Sequence, residues 1–267
     1  MRSHGYTGII GVQTSEHIAA AHWQIVPESQ RQLMVAARLR VKQEGIAQGF
    51  DDLLPCVELP QIASLFRHFP GNLNLIHLSV DNPLDAVQLD KVLFALRTRA
   101  IDNCDGFEIA TPWPSVSMLE SYRDAEKEWQ DRTTGYRQTT RDPGVIVVRT
   151  PVTINGLYPD PQTIVDYVRA YVETVNTVVL DFRSPGNELL AIDIARCYLK
   201  ALYANRLSVG IGIAGGISAQ NVSQLASLVR EFEGLSYEAD ICLHGFDHRL
   251  EEANIIEFVR QSYALLV

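Results

Sequence analysis

Lysine is scarce in this chain: Lys42, Lys91, Lys127 and Lys200 are the whole set in 267 residues. The last three fall in stretches of helical pattern, so only Lys42 could stand at the end of a strand. A Schiff-base mechanism needs a desolvated lysine amine, and the sequence has almost no place for one. Cysteine is equally sparse. Cys56, Cys104, Cys197 and Cys242 show no CxxC spacing, which reads as reduced, mostly buried thiols of a cytoplasmic protein. Cys197 and Cys242 sit inside apolar patterns, where packing is the expected role. Positive charge is in deficit, with 23 Lys and Arg against 32 Asp and Glu and a net charge of −9. An acidic chain without basic runs argues against nucleic acid or an anionic membrane as partner. No apolar run approaches the roughly 18 residues of a membrane span. The opening MRSHGYTGIIGVQ has no apolar core with a small-residue cleavage site, so no secretory leader is expected. No GxGxxG follows the first apolar run, whose turn reads GVQTSEH, and this counts against a dinucleotide-binding fold.

What is present is a regular alternation of short apolar runs and helical periods. Strands are expected at 8–13, 33–42, 73–80, 106–110, 145–149, 177–181, 208–214 and 239–243. The second is the weakest, because LMVAARLRVK is rich in residues that also favour helix. Helices are expected near 15–23, 60–69, 85–99, 115–129, 161–175, 188–204, 220–232 and 253–266. The 161–175 segment carries Ile164, Val165, Val168, Tyr171 and Val172 close to the 3.6-residue period. Short runs rich in Val and Ile suit strands buried on both faces of a parallel sheet, and strict alternation favours the α/β class. Eight units, in a length close to the roughly 250 residues of such a fold, predict one (β/α)8 TIM barrel domain over residues 1–267. Two polar stretches exceed a minimal barrel: 42–55, and an extended insertion after strand four, 120–144. Long polar loops often cover active sites.

Barrel chemistry is carried at the C-terminal ends of strands. Strand seven runs into Gly215 and Gly216, then Ile217 and Ser218, in the stretch IGIAGGISAQNV. Glycines at a strand-to-helix turn let backbone N–H groups approach an anion, and Gly245, in the loop after strand eight, would add another. These five residues are the expected phosphate grip. Asp181 ends the apolar strand TVVLD. A carboxylate in a mostly apolar mouth is partly desolvated and suited to general acid or base work. Glu108 on strand four is its candidate partner. Arg149 and Arg183 present planar forks for a second anionic group, and Gln13 and Asp247 complete the expected substrate contacts. Arg38, His77, Asp81 and His244 are further strand-end residues. His244 and His248 lack a third nearby ligand, so neither a metal site nor a cofactor is expected.

The strand-end stretches IGVQTSEHIAAA, VVLD, IAGGISAQNV and DICLHGFD, in that order, resemble phosphoribosylanthranilate isomerase. That family is made of phosphate-binding barrels that carry out an Amadori rearrangement of an aminoaldose to an aminoketose. The resemblance spreads over most of the chain and is strongest from about Gly144 onward. It implies that AGGIS is a phosphate turn and that Asp181 is the general acid. The family's acid works with a cysteine base at the end of strand one. Here Ile10 or Gly11 stands at that place, and FRSPGNEL follows the strand-six Asp in place of a Gly- and Thr-rich turn. Gln13 is no substitute, since an amide does not titrate near neutral pH. Glu108, Asp81 and His77 are the alternatives.

The expectation is an isomerase or lyase acting on a phosphorylated sugar-type substrate. The alternative is a barrel homologue without catalysis, serving as a ligand-binding or protein-interaction module. In a third reading the glycines serve close packing alone.

Overall fold

The structure, a computed structural model, describes residues 5–26, 29, 31–40, 56–57, 59–66, 69, 71–79, 104–121, 123–124, 144–154, 156–183 and 188–266. Eight parallel strands close into a barrel in sequence order: β1 (Tyr6–Ile10), β2 (Gln32–Arg40), β3 (Leu73–Ser79), β4 (Gly106–Ala110), β5 (Val145–Pro151), β6 (Thr177–Asp181), β7 (Gly210–Ala214) and β8 (Ser236–Ala239). β8 pairs back onto β1, with Gly8 opposite Glu238. This is the expected (β/α)8 TIM barrel. The segments 42–55, 85–99 and 125–143 lie outside the described residues, so the expected helix at 85–99 and most of the polar insertion go with them, as do Lys42 and Asp81.

The strands read with period two. Residues of one parity face the helices: Leu33, Val35 and Ala37 of β2, Val178 and Leu180 of β6, Ile211 and Ile213 of β7 all join the large apolar layer between sheet and helices. The other parity faces the lumen, where Tyr6, Ile10, Met34, Ala36, Leu75, Val147, Val179 and Ala214 form a separate apolar cluster. The same parity carries Arg38, His77, Glu108, Arg149, Asp181 and Glu238, since side chains alternate along a strand. Gly8 makes this filling possible. A Cβ there would stand 2.7 Å from both Glu238 Cγ and Met34 Cε.

Several boundaries move. β1 begins at Tyr6 and ends at Ile10, so Gln13 lies in the turn beyond it. β8 is SYEA; the expected ICL run is a 3-10 turn, Ile241–Leu243. The run is apolar because Leu243 is buried beneath the rim. The helix expected at 220–232 starts as a 3-10 turn, Val222–Leu225, and becomes α-helix at Ala226–Glu231. Cys197 is exposed, correcting its packing role. Helix Ile192–Ala204 buries Ala195, Tyr198, Leu199 and Leu202, a stripe at helical spacing that misses position 197.

Candidate functional site

A charged tier caps the apolar lumen at the C-terminal end of the strands. Register assembles it: Arg38 of β2 lies opposite His77 of β3, which lies opposite Glu108 of β4. Asp240, one residue past β8, binds Arg38 Nη2 through Oδ1 at 2.5 Å and lies 3.4 Å from Arg149 Nη1 through Oδ2. Asp181 ends β6. Its Oδ2 accepts from Arg149 Nε at 3.0 Å and Nη2 at 2.9 Å, and its Oδ1 accepts from the Arg183 backbone N–H at 2.9 Å. Arg183 Nη2 stands 3.5 Å from Asp181 and 3.8 Å from Asp240. The tier descends from solvent: the side chain of Arg183 is 37% exposed, that of Asp181 12%, and that of Glu238 0%.

Below the arginines sit two buried carboxyls. Glu238 Oε1 accepts from Tyr6 Oη at 2.5 Å, and Glu108 Oε2 pairs with His77 Nδ1 at 2.9 Å. Burial raises both glutamates; the Glu108 carboxyl further disfavours charge on Glu238, while Arg149 and Glu238 act to lower Glu108 against its burial. Burial and the nearby Arg38 push His77 down to about 3. Its contact with Glu108 is therefore a hydrogen bond of a neutral imidazole, not an ion pair. Burial opposes charge on Asp240 too, but Arg38 and Arg149 outweigh it and hold that carboxyl well below the usual range. Burial likewise lowers Arg149, and Asp181 and Asp240 more than restore it. Because burial favours the neutral form of both glutamates, the three arginines of the tier are offset chiefly by Asp181 and Asp240, which they contact directly.

The glycine turn after β7 serves the chain as well as any ligand. Gly215 has φ +124, and a Cβ there would meet the Phe182 carbonyl carbon at 2.8 Å and Arg183 N at 2.9 Å. Its carbonyl accepts from Leu190 N at 3.1 Å. Gly215 thus lets the β6 loop cross close over the end of β7. Asn221 closes the turn, accepting from Ser218 N–H at 2.8 Å and donating to Gly216 O at 2.8 Å. The Ser218 N–H is consequently engaged. No backbone carbonyl among the described residues takes the N–H groups of Gly216 or Ile217.

Three expected residues stand differently from the reading by sequence. Gly245 N–H donates to Arg249 O at 2.8 Å, and a Cβ there would meet Glu251 Oε1 at 2.1 Å. Its glycine character is used by its own loop. Asp247 is exposed and accepts from Arg249 N at 3.0 Å, capping the same loop. Gln13 sits at the rim, where its N–H meets His17 Nδ1 at 3.3 Å and its Nε2 is buried with no partner among the described residues. The structure brings Asp181, Arg149 and Arg183 together, with Glu108 deeper in the same tier. Tyr6, Glu238 and Asp240 were missed. The signal was there in LSYEAD, where Ser236, Glu238 and Asp240 alternate with Tyr237 and Ala239, but the apolar ICL drew the strand downstream.

No protein-family model and no curated protein sequence matches the chain. Solved structures do. A phosphoribosyl anthranilate isomerase from Thermus thermophilus superposes with TM-score 0.60 at 11% identity, covering 97% of this chain and 99% of that one. TrpF from Jonesia denitrificans gives TM-score 0.60 at 13% identity over 98% of both chains. A third phosphoribosyl anthranilate isomerase, in complex with reduced 1-(o-carboxyphenylamino)-1-deoxyribulose 5-phosphate, gives 0.60 at 8% identity over 97% of this chain and 99% of that one. At these identities the likeness is one of fold: end to end, the chain is similar in architecture to phosphoribosyl anthranilate isomerases.

Proposed function

We propose that the barrel binds a small phosphorylated sugar-type molecule at its C-terminal mouth and acts on it as an isomerase or lyase. The observation that carries this reading is the conjunction of an open-N–H glycine turn after β7 with an oriented carboxylate, Asp181, at the end of the adjacent strand β6. Gly216 and Ile217 would donate to the phosphate, and Gly215 and Ser218 would shape the turn around it. Gly245 would support the rim rather than donate. Arg183, the most exposed of the three mouth arginines, would meet a second anionic group, with Arg149 holding Asp181 in place. Asp181 would exchange protons with the sugar, and Glu108 would tune the tier beneath it. A structural neighbour's complex with a ribulose 5-phosphate derivative supports the choice of ligand class.

The Arg149–Asp181 pair favours a second reading. A carboxylate held by three donors resembles a structural anchor, and a barrel anchored in this way could bind a phosphosugar without turning it over. One experiment separates the two. Ribose 5-phosphate should raise the Tm saturably while ribose should not. A phosphoribosylated aminoaldose should be converted, and Asp181→Asn should cut that conversion by about 10²–10⁴-fold. Stabilisation without conversion establishes the binding module. No stabilisation by phosphate esters removes both readings and leaves the glycines to packing.

A further inference from the structure

At the rim between β1 and β8, a histidine is held with one nitrogen anchored and the other buried without a partner among the described residues. His244 follows the 3-10 turn Ile241–Leu243 and is half-buried. Its Nδ1 lies 3.1 Å from the Asp240 carbonyl oxygen. A carbonyl only accepts, so Nδ1 carries the proton, and in the neutral ring Nε2 is an open lone pair. Nε2 has no partner among the described residues. It lies 3.2 Å from the point where a Cβ on Gly11 would stand, so the imidazole caps the end of β1 where the chain itself places no side chain. Gln13 Nε2, two residues on, is a second buried polar atom left unpaired at that rim. Buried polar atoms are nearly always partnered. One unpaired acceptor and one unpaired donor at the same rim are what a ligand hydroxyl, which both donates and accepts, would satisfy.

We infer that His244 is the proton acceptor of the barrel mouth, with Gln13 holding the hydroxyl of the carbon that gives up its proton. The inference rests on the phosphosugar reading above. In the step, Nε2 takes a proton from a carbon next to a carbonyl or imine. The C–H electron pair becomes the C=C bond while the C=O or C=N π pair moves onto its heteroatom. The hydroxyl of the deprotonated carbon gives its proton, by way of Asp181, to that heteroatom and becomes the new carbonyl. The C=C pair takes the proton back from the imidazolium at the neighbouring carbon, so atoms and electrons balance without a co-reactant. The surroundings fit a base. Burial lowers the imidazole below its ordinary 6.5, so it is neutral at pH 7; the Asp240 carboxylate favours the imidazolium once formed, and Arg38 opposes it. His17, on helix Ser15–His22, is a further titratable group near it and is also lowered by burial, which Glu252 and Glu16 oppose. Asp240 is itself held by Arg38 and Arg149, so the anchor of the ring is fixed. His244 was named from the sequence only as a further strand-end residue with no assigned role, Asp240 was not singled out, and Gln13 was expected only as a contact.

The test uses the full chain and ribose 5-phosphate as probe. Long-range 1H–15N spectra of the seven histidines, assigned with His244→Gln, should show His244 as the Nδ1-protonated tautomer at pH 7.5. Its Nε2 resonance should move on saturation with ribose 5-phosphate. His244→Gln should lower kcat on the phosphoribosylated aminoaldose by about 10²–10⁴-fold with KM little changed, and should remove the acidic limb of the pH–rate profile. An Nε2-protonated tautomer overturns the inference. So does an Nε2 resonance that stays still while the Tm shift shows the probe bound, or a His244→Gln variant with unchanged kcat and acidic limb. Wild-type protein that moves Nε2 on binding but converts nothing overturns the proton-transfer step and establishes the binding module instead. Failure of ribose 5-phosphate to bind at all removes the phosphosugar reading and this inference with it.

Discussion

Arg149 is the residue on which the charged tier depends. It reaches Asp181, Asp240 and Glu238, the last at 3.9 Å, from a side chain only 4% exposed. Removing one partner of a buried ion pair costs more than the pair is worth, because the remaining charges keep their desolvation penalty. Arg149→Met should therefore destabilise the protein by about 3–5 kcal/mol in urea unfolding; a change under about 1 kcal/mol would mean that the tier is well hydrated. Asp181, Glu108 and Arg149 could be picked out from the sequence because each stands at or near the end of an apolar run. Their partners were harder to find. Tyr6, Glu238 and Asp240 become visible only when the true parity of β1 and β8 is known, since one residue of slip exchanges the lumen and helix faces.

At the scale of elements, the turn after β7 and the strand β2 illustrate opposite cases. The double glycine was legible because a left-handed backbone must be encoded locally, and Gly215 at φ +124 and Gly216 at φ +59 use that freedom. Its purpose was less legible. The close approach of Phe182 and Arg183 comes from a loop more than thirty residues away. Gly215→Ala combines an unfavourable φ with contact against backbone that cannot rotate away. It should cost about 1–3 kcal/mol or more and displace the β6 loop with Asp181. Equilibrium unfolding together with amide exchange at Arg183 would check both, and an unperturbed Arg183 would show that the loop yields freely. β2 is the reverse case. Its composition tolerates helix, yet Gln32–Arg40 is a strand because β1 and β3 pair along both its edges. Strand preference of this kind comes from neighbours more than from the residue.

For the whole molecule, the buried tier makes stability a function of pH with two opposed limbs. His77 falls from 6.5 to about 3 on folding, so its contribution is complete above pH 6.5 and is lost as pH falls through that interval. Asp240, lowered by its arginines, adds to the same acidic loss below its ordinary 3.8. The Glu108–Glu238 pair acts in the other direction. Its raised folded values favour the native state below about pH 4.5 and lose that contribution as pH rises. Each group contributes a slope of at most about 1.4 kcal/mol per pH unit. Tm should be highest between about pH 4.5 and 6.5, where the limbs overlap. His77→Gln should flatten the acidic limb and Glu238→Gln the alkaline one. Thermal unfolding from pH 3 to 9 measures both, and parallel curves for the variants and wild type would place the titrating groups elsewhere.

What the sequence by itself determined was the succession of eight strands, the barrel they close, the glycine turn after the seventh and the carboxylate at the end of the sixth. All of these are written in contiguous residues as period, composition and turn chemistry. Only the tertiary structure decided which charges meet. Arg38 and Asp240 are 202 positions apart, and Tyr6 and Glu238 are 232 apart. It is closure of the barrel that sets β8 against β1. The strand register then turns Glu238 into the lumen and leaves His244 capping Gly11, because lumen-facing parity belongs to paired strands and not to any one of them.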